Sequence, residues 1–259
     1  MIFYFSGTGN TLWVARQIAK VTGDNLVNIA DELRREPQTY MLSEGERLGF
    51  CFPTHGWQPP RIVRDFIRRS TFVVQPSSFI WALTTCGDST GQTMAILNRE
   101  LDRKGLKAET LFSVIMPESY VCLPFMYTDS EKREAEKIAN ARQQLTHIVT
   151  TVRNCRRGVA ELTRGATPRL YSYVIGCYFN KQMVTDKKFT VDEDVCVQCG
   201  LCAKVCPVDN IEGMPPAWLH NGRCTCCLAC YHHCPVHAIN YGSITRKRGQ
   251  YLMKEKNAE

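Results

Sequence analysis

The sequence predicts an α/β protein: a doubly wound parallel sheet of five strands, followed by a smaller α+β domain. Three observations carry that prediction. The first is the apolar run Met1 to Ser6, which feeds a glycine-rich turn and then an amphipathic helix; strand, turn and helix in that order build parallel sheets. The second is recurrence, since apolar segments near Leu26 to Ile29, Leu48 to Phe52, Phe79 to Thr85 and Leu106 to Met116 alternate with helical patterns. The third is a cysteine repeat confined to residues 196 to 235, which marks a small unit built around metal rather than around a large apolar core.

The stretch Ser6-Gly7-Thr8-Gly9-Asn10-Thr11 precedes a helix with Leu12, Ala15, Ile18 and Ala19 on one face. Hydroxyls and backbone N–H groups converge there on the positive end of a helix, which makes an anion site. It is not a nicotinamide dinucleotide fingerprint, because Leu12 stands where G-x-G-x-x-G needs its last glycine. The third strand runs into Pro53-Thr54-His55-Gly56-Trp57 and the fourth into Thr85-Cys86-Gly87-Asp88. Loops at the carboxyl ends of parallel strands carry ligand contacts. Cys86 also invites reading as a reactive thiol, but no neighbour in sequence marks it as activated.

A helix from about Pro59 to Arg69 turns Ile62, Val63, Phe66 and Ile67 inward and sets Arg61, Arg64 and Arg68 along another face. That stripe reads as a solvated face, with docking of an acidic electron-transfer partner as the alternative. A further helix spans Met94 to Leu101. Residues 117 to 129 have no clean period and are rich in apolar side chains, as expected of a segment that covers a ligand, lines a substrate pocket or packs on the second domain. Thr128 and Glu131 suggest a capping box for a long helix whose stripe is Ile138, Ala141, Leu145, Ile148, Val149 and Val152.

Residues 158 to 188 contain Tyr171, Tyr173, Tyr178 and Phe179, too apolar for a flexible linker, so they are expected to pack between the two halves. The expected division is 1–157, a packed connector over 158–188, and 189–259. Lys188 to Asp192 and Ala238 to Tyr241 suit short strands. The basic stretch Arg246 to Arg248 and the charged end from Lys254 to Glu259 read as frayed.

Cys196, Cys199, Cys202 and Cys206 followed by Pro207 recur 28 positions later as Cys224, Cys227, Cys230 and Cys234 followed by Pro235. The spacing C-x2-C-x2-C-x3-C-P, given twice, is specific for metal; four-cysteine zinc sites are the alternative to iron–sulfur clusters. Of the other cysteines, Cys51, Cys86, Cys122, Cys155, Cys177 and Cys226, only Cys226 lies inside a motif, out of register.

The cysteine motif resembles that of bacterial two-cluster ferredoxins, and Ser6 to Thr11 resembles the hydroxyl-rich phosphate loop of flavodoxins. Together, across nearly the whole chain, they resemble the flavodoxin and ferredoxin fusion proteins of anaerobic bacteria and archaea. The resemblance implies a flavodoxin-like domain binding FMN and an α+β ferredoxin domain with two [4Fe-4S] clusters. It implies crossed ligation, Cys196, Cys199, Cys202 and Cys234 for one cluster and Cys224, Cys227, Cys230 and Cys206 for the other. Ser6, Gly7, Thr8, Gly9, Asn10 and Thr11 would hold the phosphate. Thr54, His55, Gly56 and Trp57, then Thr85, Cys86, Gly87 and Asp88, would flank the ring, with Tyr120 as a further contact. The Pro53 to Trp57 loop lacks the tyrosine that often stands before the aromatic-glycine step in that family, which leaves Trp57 and His55 both open as the stacking residue. The implied function is electron transfer between clusters and FMN, serving redox partner proteins. Reduction of a small-molecule substrate at the flavin is the first alternative and redox or oxygen sensing the second.

The formal charge of +7 treats cysteines as neutral. Eight metal-bound thiolates around two 2+ cores contribute about −4 and a flavin phosphate about −2, which argues against nucleic-acid binding. No apolar run reaches membrane-spanning length, Tyr171 to Phe179 being the longest candidate. The opening residues carry no basic region or cleavage site, and the chain reads as cytoplasmic, its oligomeric state left open.

Overall fold

The computed structural model describes residues 1–254; the last part of the charged end expected to fray, 255–259, lies outside the described residues. The N-terminal half runs β1 (Ile2–Tyr4), α1 (Asn10–Thr22), β2 (Leu26–Asn28), α2 (Ile29–Leu33), β3 (Thr39–Met41), β4 (Arg47–Pro53), α3 (Arg61–Arg69), β5 (Thr71–Val73), β6 (Phe79–Cys86), α4 (Thr93–Asp102), β7 (Thr110–Ile115), α5 (Glu131–Arg153) and β8 (Ala160–Glu161). The main sheet has the order β2-β1-β4-β6-β7-β8, parallel throughout. Its first five strands follow the 2-1-3-4-5 order of a doubly wound sheet, with the switch between β1 and β4. The loops after those strands therefore splay apart and leave a crevice at their carboxyl ends.

Alternation along the strands divides the core into two layers. Phe3, Phe5, Phe50, Phe52 and Ile80 face α3 and α4, meeting Ile62, Val63, Phe66, Ile67, Met94 and Leu97. Ile2, Cys51, Trp81, Leu83 and Phe112 face α1 and α5, meeting Trp13, Val14, Ile18, Ala141, Leu145 and Ile148. Burial on both faces explains why these strands read as continuous apolar runs.

The sheet has six strands rather than five. The additional one, β8, pairs with Leu111 and Phe112 and is two residues long, too short to carry a hydrophobic period. It comes from the segment expected to serve only as a connector. The long helix is capped by Ser130, whose hydroxyl accepts from the N–H of Arg133 at 3.4 Å, in place of the expected Thr128 box; Ser130 stands directly before the first helical residue.

The connector continues as a helical stretch over 168–183, with α6 (Pro168–Leu170), a π turn at Tyr171–Ile175, α7 (Gly176–Tyr178) and a second π turn at Phe179–Met183. Phe179 and Tyr171 pack inward as expected. Tyr173 instead lies under Arg99, and Tyr178 is exposed.

The C-terminal part holds β9 (Phe189–Val191), α8 (Leu201–Lys204), β10 (Ile211–Glu212), β11 (Ala217–Trp218), α9 (Ala229–His233) and β12 (Ile239–Tyr241). The strands expected beside the cysteines pair antiparallel as β9 and β12. Val121 and Cys122 enter this third core, with Phe189, Trp218 and Tyr231, so residues 117–129 belong to both halves. The stretch expected to fray is ordered: Arg248 donates to the carbonyl of Pro124 and lies 3.4 Å over the Tyr127 ring. Among the described residues, no helix is long and apolar enough to cross a membrane.

Phe66 anchors the first layer, with ring centroids 4.8 Å from Phe3 and 5.8 Å from Tyr40. Truncating it leaves a cavity that close-packed neighbours cannot fill. Phe66→Ala is expected to cost about 3–5 kcal/mol of stability, measured by urea denaturation.

Candidate functional site

One cavity of about 230 Å³ occupies the crevice at the sheet's carboxyl end. Its walls include Ser6, Gly7, Thr8, Asn10 and Thr11 from the first loop, Thr54 to Trp57 from the second, and Thr85 to Asp88 from the third. Tyr120 and Phe179 also line it, and so do Thr225, Cys226, Cys227 and Leu228 of the second cysteine motif. The three loops predicted from sequence thus meet in one place, as does Tyr120. Of the predicted residues, Gly9 alone is absent from the wall; it carries φ +94° as the residue before α1 and packs against Met253.

Within the first loop the groups divide their work. The Ser6 hydroxyl accepts from the N–H of Gly9 at 3.1 Å, which shapes the turn. Helix α1 starts at Asn10, so the N–H groups of its first turn have no intrahelical acceptor. Asn10 differs from the expected phosphate contact: its amide donates to the Pro117 carbonyl at 2.9 Å and its oxygen accepts from the Tyr251 hydroxyl at 2.7 Å. Both ends of that side chain are engaged within the protein. Thr11 bonds to Thr85 at 2.7 Å, tying the first loop to the third.

Trp57 has φ +55° and stacks on Tyr171 with centroids 4.8 Å apart, while its indole N–H donates to Ser89 at 3.1 Å. One face of the indole is therefore covered by the connector. Gly56 and Gly176 allow the connector this approach, since a Cβ on Gly176 would run into the Gly56 carbonyl and one on Gly56 into the Phe179 ring. Gln58 completes the join by donating to the Ser172 carbonyl at 2.7 Å.

Burial sets the electrostatics. His55, at the cavity wall, has its pKa lowered to about 4 because its ring is desolvated, against a smaller upward push from a bond to the Thr225 backbone. The Cys86 thiol is pushed up to about 12 by burial and then by Asp88 and Glu118, which argues against the reactive-thiol reading. Burial also raises the Glu118 carboxyl, opposed by the N–H groups of Tyr120 and Ser119 and by Lys137. Glu118 was not singled out in the sequence; the only signal was its place in the aperiodic 117–129 segment.

The cysteines separate into two sets. Cys196, Cys199, Cys202 and Cys234 line one small cavity, and Cys206, Cys224, Cys227 and Cys230 line another, joined by Cys226. Each fourth cysteine has crossed to the other motif. The Cys202 thiol is raised by burial and also feels Cys234 and Cys199; that of Cys230 is raised by burial, then by Cys227, Cys224 and Cys206. The repeat extends to the backbone: Gln198, Gly200 and Asp209 have positive φ, as do Cys226, Leu228 and His237 28 positions on. The Cys206 sulfur accepts from the N–H of Asn210 at 3.3 Å and the Cys234 sulfur from that of Ala238 at 3.2 Å. Cys226 hence stands where Gln198 does, outside the four-cysteine set. Among the described residues, no group of three or more His, Cys, Asp or Glu side chains is set to hold a single metal ion.

Two contacts bind the second motif to the large cavity. A Cβ on Gly7 would lie 2.7 Å from the Cys227 carbonyl, so only glycine permits this closeness. The His232 ring donates from Nε2 to the Ser119 carbonyl at 2.6 Å and accepts at Nδ1 from the N–H of Tyr251 at 3.1 Å. His232 is thus a buried neutral clamp; its neighbour His233 bonds only to the Ala229 carbonyl in its own helix.

Residues 189–212 match the model of the 4Fe-4S binding domain, which supports a [4Fe-4S] cluster in this part of the chain. No curated protein matches the chain. Among solved structures, a candidate flavoprotein from Bacteroides uniformis is similar at 17% identity and TM-score 0.35, over 44% of this chain and 88% of that one. The Trp repressor binding protein from Bacillus subtilis aligns at 12% identity and TM-score 0.35, over 61% and 98%. Rubredoxin oxygen:oxidoreductase from Desulfovibrio gigas aligns at 14% identity and TM-score 0.30, over 58% and 35%.

Two outcomes follow from this geometry. Gly176→Ala is expected to push the connector off the second loop at a cost of about 1–3 kcal/mol, read as a lowered urea midpoint. The folded pKa of His55 lies below its unfolded value of about 6.5, so the unfolded chain binds the extra proton between the two. Its contribution is present above that value and is lost as pH falls toward about 4. Melting temperature followed over this window should fall less steeply in His55→Gln than in the parent.

Proposed function

We propose that this chain is an electron-transfer flavo-iron-sulfur protein. In this reading FMN occupies the large cavity, and [4Fe-4S] clusters are held by Cys196, Cys199, Cys202 and Cys234 and by Cys224, Cys227, Cys230 and Cys206. The observation that carries it is the shared wall: Cys226, Cys227 and Leu228 line the same cavity as the first loop. A ligand there touches the second cysteine motif directly.

The donor sets fit these groups. Orphan N–H groups at the start of α1, with the Thr8 and Thr11 hydroxyls, suit a phosphate. Buried thiols within electrostatic reach of one another need positive charge between them before they can ionise together, which iron supplies. When bound, a flavin exchanges electrons singly or in pairs while each cubane passes one, so the assembly couples the two kinds of chemistry. The chain's part is to hold the groups close and dry. Gly7 brings the two motifs into contact, Phe179 and Tyr120 fill the wall, and His232 fastens residues 117–129 over the cavity.

A second reading, reduction of a small molecule, is favoured by one observation. Glu118, a carboxyl with a raised pKa, lines the cavity beside Leu123 and Met126, where it could hold a proton for a bound substrate.

Anaerobic purification with iron, sulfide and flavin analysis is expected to give about eight irons and one FMN per chain; firmly bound zinc or four irons would reject the two-cluster reading. Cys206→Ser is expected to damage the centre near Cys224 and spare the one beside Cys196, followed by EPR of the reduced protein. Loss of the centre nearer in sequence would reject crossed ligation.

A further inference from the structure

A second cavity, of about 400 Å³, opens where α2 and α3 meet the second cysteine motif. It is lined by Arg34, Arg61, Arg68, Arg69 and Arg223, against Asp65 and Asp209. Two of the five guanidiniums are neutralised: Arg34 pairs with Asp209 at 2.9 Å and Arg68 with Glu100 at 2.6 Å. The other three are not. Arg61 donates to the Gly222 carbonyl at 2.6 Å, and Arg69 to the carbonyls of Leu33 and Arg35 at 3.0 and 3.1 Å. Among the described residues, no ion pair joins Arg61, Arg69 or Arg223 to a carboxylate. Arg64, between them on α3, has its pKa lowered first by burial and then by the charge of Arg68, against an upward pull from Glu100 and Asp65.

The place of this groove matters as much as its charge. Pro207, Val208 and Thr225, neighbours of Cys206 and Cys224, also line it, and Arg34 donates to the Cys206 carbonyl at 2.8 Å. Two cysteines of the second set thus sit one residue behind its lining. The arginines run from Arg61 to Arg69, about 12 Å along α3, and across to Arg223. A single phosphate would be gripped by one fork, whereas charge spread over this length matches an extended acidic surface.

We propose that this groove docks a small acidic electron-carrier protein and sets its redox centre beside the second cysteine set. The inference rests on the electron-transfer reading above, from which its test is separable. Uncompensated guanidiniums steer an acidic partner from solution and are screened by salt.

The test uses the purified full chain and, as probe, a fluorescently labelled acidic two-cluster ferredoxin, with binding read as anisotropy. Affinity is expected to fall by about tenfold as salt rises from roughly 20 to 200 mM. The double variant Arg61→Glu/Arg223→Glu is expected to lose about tenfold at low salt, while Lys132→Glu on the distant α5 leaves binding unchanged. Circular dichroism monitors folding, and Arg69→Gln provides a milder variant with the same direction of effect. Binding unchanged in the folded double variant, or equal loss in Lys132→Glu, would overturn the proposal. Displacement of the probe by inorganic pyrophosphate at matched ionic strength would overturn it in favour of a small-anion site. Iron measured on the same samples keeps the readings apart: full iron without binding defeats the docking site alone, and low iron with intact binding defeats the two-cluster reading alone.

Discussion

Everything about this molecule depends on how closely two backbones can approach. Gly7, at the start of the first loop, lies against the carbonyl of Cys227, and no side chain larger than hydrogen fits between them. Because of that contact, the second cysteine motif forms part of the wall of the parallel sheet's crevice. Single-domain sheets of this class present their crevice to solvent and to whatever partner diffuses in. Here the cysteine-bearing part of the same chain lies against the crevice, held by the Gly7 contact, by His232 on Ser119 and by Tyr251 on Asn10.

The division of labour among side chains follows from this seating. Residues of the loops that the sheet alone would leave to solvent instead fasten later segments of the chain. Asn10 is one, spent on Pro117 and Tyr251; Trp57 is another, with one face covered by Tyr171. The polar groups left to meet a ligand are fewer than a loop rich in hydroxyls suggests, with backbone N–H groups carrying much of the remaining capacity. On α3 the arginine stripe keeps an exposed Arg68, as a solvated face should, and ties it to Glu100, while Arg61 reaches across to the Gly222 carbonyl.

Much of this was legible before any coordinates. The strand-turn-helix order, the inward faces of α3 and α5 and the three loops at one edge all followed from period and punctuation, because each is a local property. The 28-residue cysteine repeat was legible for the same reason, and its backbone echo at Gln198 and Cys226 shows why Cys226 falls out of register. What failed were features decided by distant contact. Strand β8 is two residues long and exists because Leu111 and Phe112 offer it an edge. The stretch from Arg246 onward looked unstructured because its charge suits solvent, yet Arg248 rests on Tyr127. No window of sequence contains both halves of such a pair.

The contact between Tyr251 and Asn10 spans 241 positions, and Met253 bonds its N–H to the carbonyl of Thr8 at 2.9 Å. These residues pass over α9, where Gln250 donates to the Tyr231 and Cys234 carbonyls, and end on the first loop, so they complete the surroundings of a segment 241 positions before them. Loosening residues 250–253 would therefore be felt at Thr8 and Asn10, in the wall of the crevice.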